Sequence, residues 1–98
     1  MDLDNRISDK IKEAMKAKDN IRLETLRAIK SAIILVKTKS GEKNDLSDND
    51  ELVLLQKLVK QRRESADIFK SQNRNDLANL EEAQLKIIQE FLPKQLDY

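Results

Sequence analysis

The run Lys60-Gln61-Arg62-Arg63-Glu64-Ser65 is the densest basic cluster in this 98-residue chain. The chemistry open to such a run is electrostatic: guanidinium and ammonium groups hold carboxylates inside a fold or phosphates outside it. Helical phase divides the two uses. Between Leu52 and Phe69 apolar residues recur at helical spacing, as Leu52, Leu55, Val59, Ala66 and Phe69, and the slot missing from that stripe holds Arg62.

A guanidinium at a seam position is costly to leave unpaired. If the helix carrying Arg62 turns back at Asn73 into an antiparallel hairpin, Arg62 lies opposite Glu81 to Leu85. Glu81 and Glu82 are then its expected partners in a structural ion pair, and the small Ser65 leaves room for the side chain. The alternative is a stem lying along the core with its head in water. The neighbours of Arg62 point elsewhere. Lys57, Lys60, Arg63 and Arg74, joined by Arg22, Arg27 and Lys30 of an earlier helix, are expected to form a basic face. Such a face contacts phosphates without reading bases. The plainer reading of the same charges is a solvated helix surface.

Catalysis finds little support. Glu64, Glu81, Glu82 and Glu90 are carboxylates of a kind found on any helical surface, and the chain has no histidine and no cysteine. It therefore lacks the commonest general base and metal ligand, and all thiolate chemistry. No glycine-rich phosphate loop is present, and no residue pattern points to a metal or cofactor. No catalytic residue is assigned.

These residues must be positioned by helices. Charged residues make up 38% of the chain and hydrophobic ones 39%, with three aromatics, one Gly and one Pro. That composition suits helices rather than sheets. Lys+Arg 19 against Asp+Glu 18 leaves a net charge of +1, so an electrostatic partner must be selected by local clustering. The N-terminus is not signal-like, and the longest apolar run, Ala32 to Val36, is too short to span a bilayer. A cytoplasmic protein with no membrane partner is the expectation.

Leu3, Ile7, Ile11 and Met15 recur every four residues and predict a first helix over about 4–17. Asp19-Asn20 offers a cap for a second over about 20–38, whose stripe Leu23, Leu26, Ile29, Ile33 and Val36 is widened by Ala28, Ala32 and Leu35. Thr38 to Asp45 reads as a loop. Ser47, with Asp48, Asp50 and Glu51 behind it, starts a third helix over about 48–71. Asn73 and Asn75 tolerate left-handed geometry and offer a cap for a fourth over about 76–91, stopped by Pro93. The fourth stripe is Leu77, Leu80, Gln84, Ile87, Ile88 and Phe91. Short links favour antiparallel neighbours, so the predicted architecture is a single all-α domain over 1–98, a compact four-helix bundle of two hairpins.

The chain resembles the GatB/YqeY family, YqeY-like proteins related to the C-terminal region of the B subunit of the tRNA-dependent amidotransferase. The resemblance rests on Ala14-Met15-Lys16-Ala17-Lys18-Asp19, Arg22-Leu23, Thr25-Leu26-Arg27 and Lys30-Ser31-Ala32-Ile33. It continues through Lys60 to Ser65, Arg74-Asn75-Asp76-Leu77-Ala78, Glu81-Glu82 and Phe91-Leu92-Pro93-Lys94-Gln95-Leu96. It implies an all-helical domain and a non-catalytic module that binds tRNA or a tRNA-handling enzyme. The family label, carbon–nitrogen ligase with glutamine as amido-N-donor, comes by kinship alone, and an enzyme or subunit in amide transfer is the first rival reading. Family members continue past the Leu-Pro stretch into a smaller helical subdomain, which is expected to be missing from a chain ending at Tyr98. A second rival is a protein-interaction scaffold using an apolar strip at Leu92, Leu96 and Tyr98.

Overall fold

The computed structural model describes residues 3–40 and 46–93. Four helices follow in order: α1 (Leu3–Ala17), α2 (Asn20–Ser40), α3 (Asp48–Ser71) and α4 (Asn75–Gln89). Among the described residues there is no strand, and the all-α architecture is the one the spacing predicts. Leu96 and Tyr98 lie outside the described residues, as does most of the loop expected before Asp45. Its first part, Thr38 to Ser40, continues α2 instead.

Each of two tight links is closed by a single residue in the left-handed region. After α1 it is Lys18 (φ 58°), and after α3 it is Asn73 (φ 59°). The bonding around them is the same. Asp19 N–H reaches back to Ala14 O at 3.0 Å and Lys18 N–H to Met15 O at 3.2 Å; Arg74 N–H reaches Phe69 O at 2.8 Å and Asn73 N–H reaches Lys70 O at 3.1 Å. Both are Schellman motifs, which satisfy the last carbonyls of a helix and reverse the chain within a few residues. The result is two helical hairpins, α1–α2 and α3–α4.

The helix starts follow local side-chain chemistry. Asp19 Oδ1 accepts from Arg22 N–H at 3.1 Å to open α2, and Ser47 Oγ accepts from Asp50 N–H at 3.1 Å to open α3. The cap expected from asparagine at α4 is absent: Arg74 occupies the N-cap with no side-chain capping bond, Asn73 is spent on the left-handed turn, and Asn75 is already helical. α1 takes its cap from a distance, with Leu3 N–H donating to Glu51 Oε2 in the first turn of α3 at 2.9 Å.

α2 is the centre of the packing. Leu26, Ile29 and Ile33 on it are fully buried, together with Leu3 and Ile7 of α1 and Ile88 of α4. α3 and α4 pair along their length, α1 lies on α2, α2 leans on α4, and α2 touches α3 only lightly. That light contact corrects one expectation: Leu35, read as part of the buried stripe, is 57% exposed. Leu80 of the fourth stripe is exposed as well. Met15 is exposed too, for a geometric reason. A spacing of four drifts by about 40° per step on a helix of 3.6 residues per turn, so Met15 has rotated away from Leu3 and Ala14 is buried instead. α4 ends at Gln89, two residues earlier than predicted, where bonds to the third residue back replace the α-helical ones. The chain tightens there, with Phe91 N–H to Ile88 O at 3.0 Å and Leu92 N–H to Gln89 O at 3.1 Å. Phe91 stays buried, its ring centroid 5.4 Å beneath the Arg6 guanidinium.

Candidate nucleic-acid interface

α3 carries the arginines, and its pairing with α4 sorts them. Arg62 lies at the α3–α4 seam, where its Nε donates to Gln84 Oε1 at 2.9 Å and stands 3.7 Å from Glu81 Oε2. The Arg62 and Glu81 side chains are 20% and 22% exposed. Glu81 Oε2 is buried and accepts no hydrogen bond, so the charge of Arg62 is its compensation. Gln84, read as a member of the apolar stripe of its helix, is the residue the sequence reading missed. Each stripe carried one polar interruption, and the two interruptions meet.

Glu82, the alternative partner for Arg62, is not there. One residue past Glu81 on a helix is a rotation of about 100°, which turns it out of the seam. Its Oε1 meets Lys70 Nζ at 2.5 Å on the surface. That contact raises the Lys70 pKa and lowers that of Glu82, in both cases chiefly through the hydrogen bond between them.

The expected basic face divides. Lys57, Lys60 and Arg63 follow one another at three-residue steps on α3, all exposed. Among the described residues none of the three has a carboxylate within ion-pair distance. Lys57 opens onto the groove beside Leu35 and Val36 of α2, whereas Lys60 and Arg63 open onto a cleft against the end of α4. Arg27 is exposed on α2. Lys30 is turned to α1, where its Nζ bonds Asp4 Oδ1 and stands 3.1 Å from Ser8 Oγ. Lys37 Nζ reaches Asp4 Oδ2 at 3.2 Å, and the Asp4 carboxyl is held below the ordinary range, first by the Lys30 bond and against the opposing effect of burial. Arg74, at the hairpin tip, is bonded to both carboxylate oxygens of Asp76 at 3.2 Å, which raises its own pKa and lowers that of Asp76. The structure thus groups Lys60 and Arg63, sets Lys57 beside them on the next groove, and leaves Lys30 and Arg74 engaged elsewhere.

The cleft holding Lys60 and Arg63 measures about 590 Å³. Gln56, Val59, Lys60 and Arg63 of α3 form one side; Gln89, Glu90, Leu92 and Pro93 form the other. Its one carboxylate among the described residues is already committed. Glu90 accepts from Arg22 Nη1 at 2.9 Å and Nη2 at 3.1 Å in a bidentate pair, and the Arg22 pKa is raised chiefly by that bond. Glu90 is thus neutralised by α2 and does not balance Lys60 and Arg63.

Among the described residues no helix is long and apolar enough to cross a membrane, and no group of three or more His, Cys, Asp or Glu could hold a metal ion. Comparison with known proteins gives a family match and a set of yeast relatives. The sequence model described as Yqey-like protein matches residues 4–98. "Altered inheritance of mitochondria protein 41, mitochondrial" of Vanderwaltozyma polyspora is 39% identical over 85 residues, covering 84% of this chain and 44% of the relative. Its namesakes in Lachancea thermotolerans and Meyerozyma guilliermondii are 37% and 36% identical over 82 and 91 residues, covering 84% and 90% of this chain. The chain spans 43% to 45% of the length of these three relatives. Their names place those relatives in mitochondria.

Proposed function

The chain belongs to the YqeY-like protein family, and from that premise we propose a non-catalytic helical module that contacts RNA phosphates, tRNA above all, through α3. The observation that carries this reading is the set of exposed, uncompensated cations Lys57, Lys60 and Arg63. Arg27 serves as an outer contact, and Lys30 and Arg74 stay with their carboxylates unless RNA displaces them. Resemblance to the tRNA-handling region of the amidotransferase B subunit supports the choice of polyanion. Anisotropy of a labelled tRNA transcript, titrated across a salt series, tests it. Three phosphate contacts give a log–log slope of about −2 to −3, and Arg63→Ala removes about one from it. A flat slope, or no binding at low salt, removes the reading.

A second reading has its own observation. The groove of about 380 Å³ between α2 and α3 is edged by Leu35 and Val53, 57% and 54% exposed. An apolar edge of this kind suits a protein partner, and a pull-down lost on Leu35→Lys but kept on Arg63→Ala would favour it.

A further inference from the structure

The Lys60–Arg63 cleft is more than a basic surface, because its lining is mixed in a specific way. Among the described residues, two cations without carboxylate partners stand at its α3 side, and its one acidic group is held by Arg22. The remaining polar groups are the amides of Gln56 and Gln89, which carry both donors and acceptors. The rest is apolar: Val59, almost wholly buried, with Leu92 and Pro93. A phosphate alone needs no apolar wall and no amides. A ligand that uses all three has an anionic group, a flat apolar body and hydrogen-bonding edges.

We propose that this cleft binds one unstacked nucleotide, its phosphate at Lys60 and Arg63, its base against Val59, Leu92 and Pro93 within reach of the Gln56 and Gln89 amides. The inference rests on the RNA reading for the source of that nucleotide: an unpaired residue at the end or in a loop of a bound RNA. Single-stranded residues offer their faces and edges in a way a duplex does not, and a guanidinium plane such as that of Arg63 can serve as a stacking surface. The same chemistry could be supplied by a free mononucleotide, and the test separates the two sources.

The test compares two RNA hairpins of identical stem, one blunt and one with a four-nucleotide 3′ overhang, and adds a titration with AMP followed by amide chemical shifts. The overhang is expected to bind about tenfold more tightly than the blunt hairpin, the size of one charge-assisted hydrogen bond. Gln89→Glu, an exposed position where a carboxylate enters the cleft without disturbing the core, is expected to abolish that difference. Lys60→Ala supplies a second exposed variant and is expected to reduce the difference as well. Equal binding of the two hairpins overturns the nucleotide site and leaves the RNA reading standing. Saturable AMP shifts at Lys60, Arg63 and Gln89 with no binding of either RNA overturn the RNA reading and support the site. No binding of any of the three overturns both.

Discussion

Arg62 Nε and Gln84 Oε1 meet at 2.9 Å across the α3–α4 seam, and Glu81 Oε2 lies 3.7 Å from the same nitrogen with no hydrogen bond of its own. The arginine therefore answers for two buried polar groups at once. Removing it strands both, whereas removing its neighbour Arg63 strands nothing.

Arg62→Ala is accordingly expected to cost about 2 kcal/mol, leaving Glu81 uncompensated and Gln84 without its donor. For a domain of this size that is a fall in Tm of roughly 8–16 °C. Arg63→Ala is expected to stay within about 0.5 kcal/mol of wild type, as exposed substitutions do. Urea or thermal denaturation checks both, and equal losses would refute the division between seam and surface.

Lys18 holds φ 58° with a side chain that gains nothing there, since the position asks only for left-handed backbone. Lys18→Gly is expected to stabilise by about 0.5–1 kcal/mol, the strain relieved outweighing the added freedom of the unfolded chain. Lys18→Val is expected to destabilise by about 1 kcal/mol or more. Asn73→Gly changes less, because asparagine already tolerates the conformation. Denaturation midpoints rank the three.

Asp4 joins α1 to α2 through Lys30 and Lys37, and its folded pKa lies below the unfolded value. Its contribution is therefore present in full above the unfolded carboxyl pKa and is lost as pH falls through the lowered folded pKa. Asp4→Asn is expected to cost about 1 kcal/mol at pH 7 and almost nothing once the wild-type carboxyl is protonated. Stability curves at pH 7 and in acid check this; parallel curves at all pH values would contradict it.

Glu90 links Arg22 to the Lys60–Arg63 cleft. Glu90→Gln releases Arg22 and removes the only acid of the cleft lining among the described residues, so RNA affinity is expected to rise about two- to threefold at low salt. Folding stability is expected to fall by less than about 1 kcal/mol, since the pair is half-exposed. Weaker binding by this variant would count against the cleft as an anion site.

The helices were legible because their signals are local. Asp19 and Ser47 cap where they stand, and the apolar spacing sets the buried faces. The inward phase of Arg62 could be read from the gap in its stripe. Its partner Gln84 could not, since an amide among leucines and isoleucines reads as an interruption until the opposite helix is known. The scatter of the basic residues was hidden for a related reason. Arg22, Lys30 and Arg74 each find a carboxylate; Lys30 reaches Asp4 across 26 positions, and Arg22, besides its near neighbour Asp19 at 3.5 Å, is bonded to Glu90 across 68. Charge clustering along a sequence counts the cations but not the acids that other helices bring to them. Leu35 failed similarly: an apolar stripe says what can be covered, and the light α2–α3 contact decides how much is.

The cap that Glu51 lends to Leu3 runs across 48 positions, whereas the caps of α2 and α3 lie within their own first turns. α1 and α3 belong to different hairpins, so the first amide of α1 finds this acceptor only once the opening turn of α3 has docked. Hydrogen exchange at Leu3 thus reads out the union of the two halves rather than the fraying of one helix end. A single amide becomes the clock for assembly.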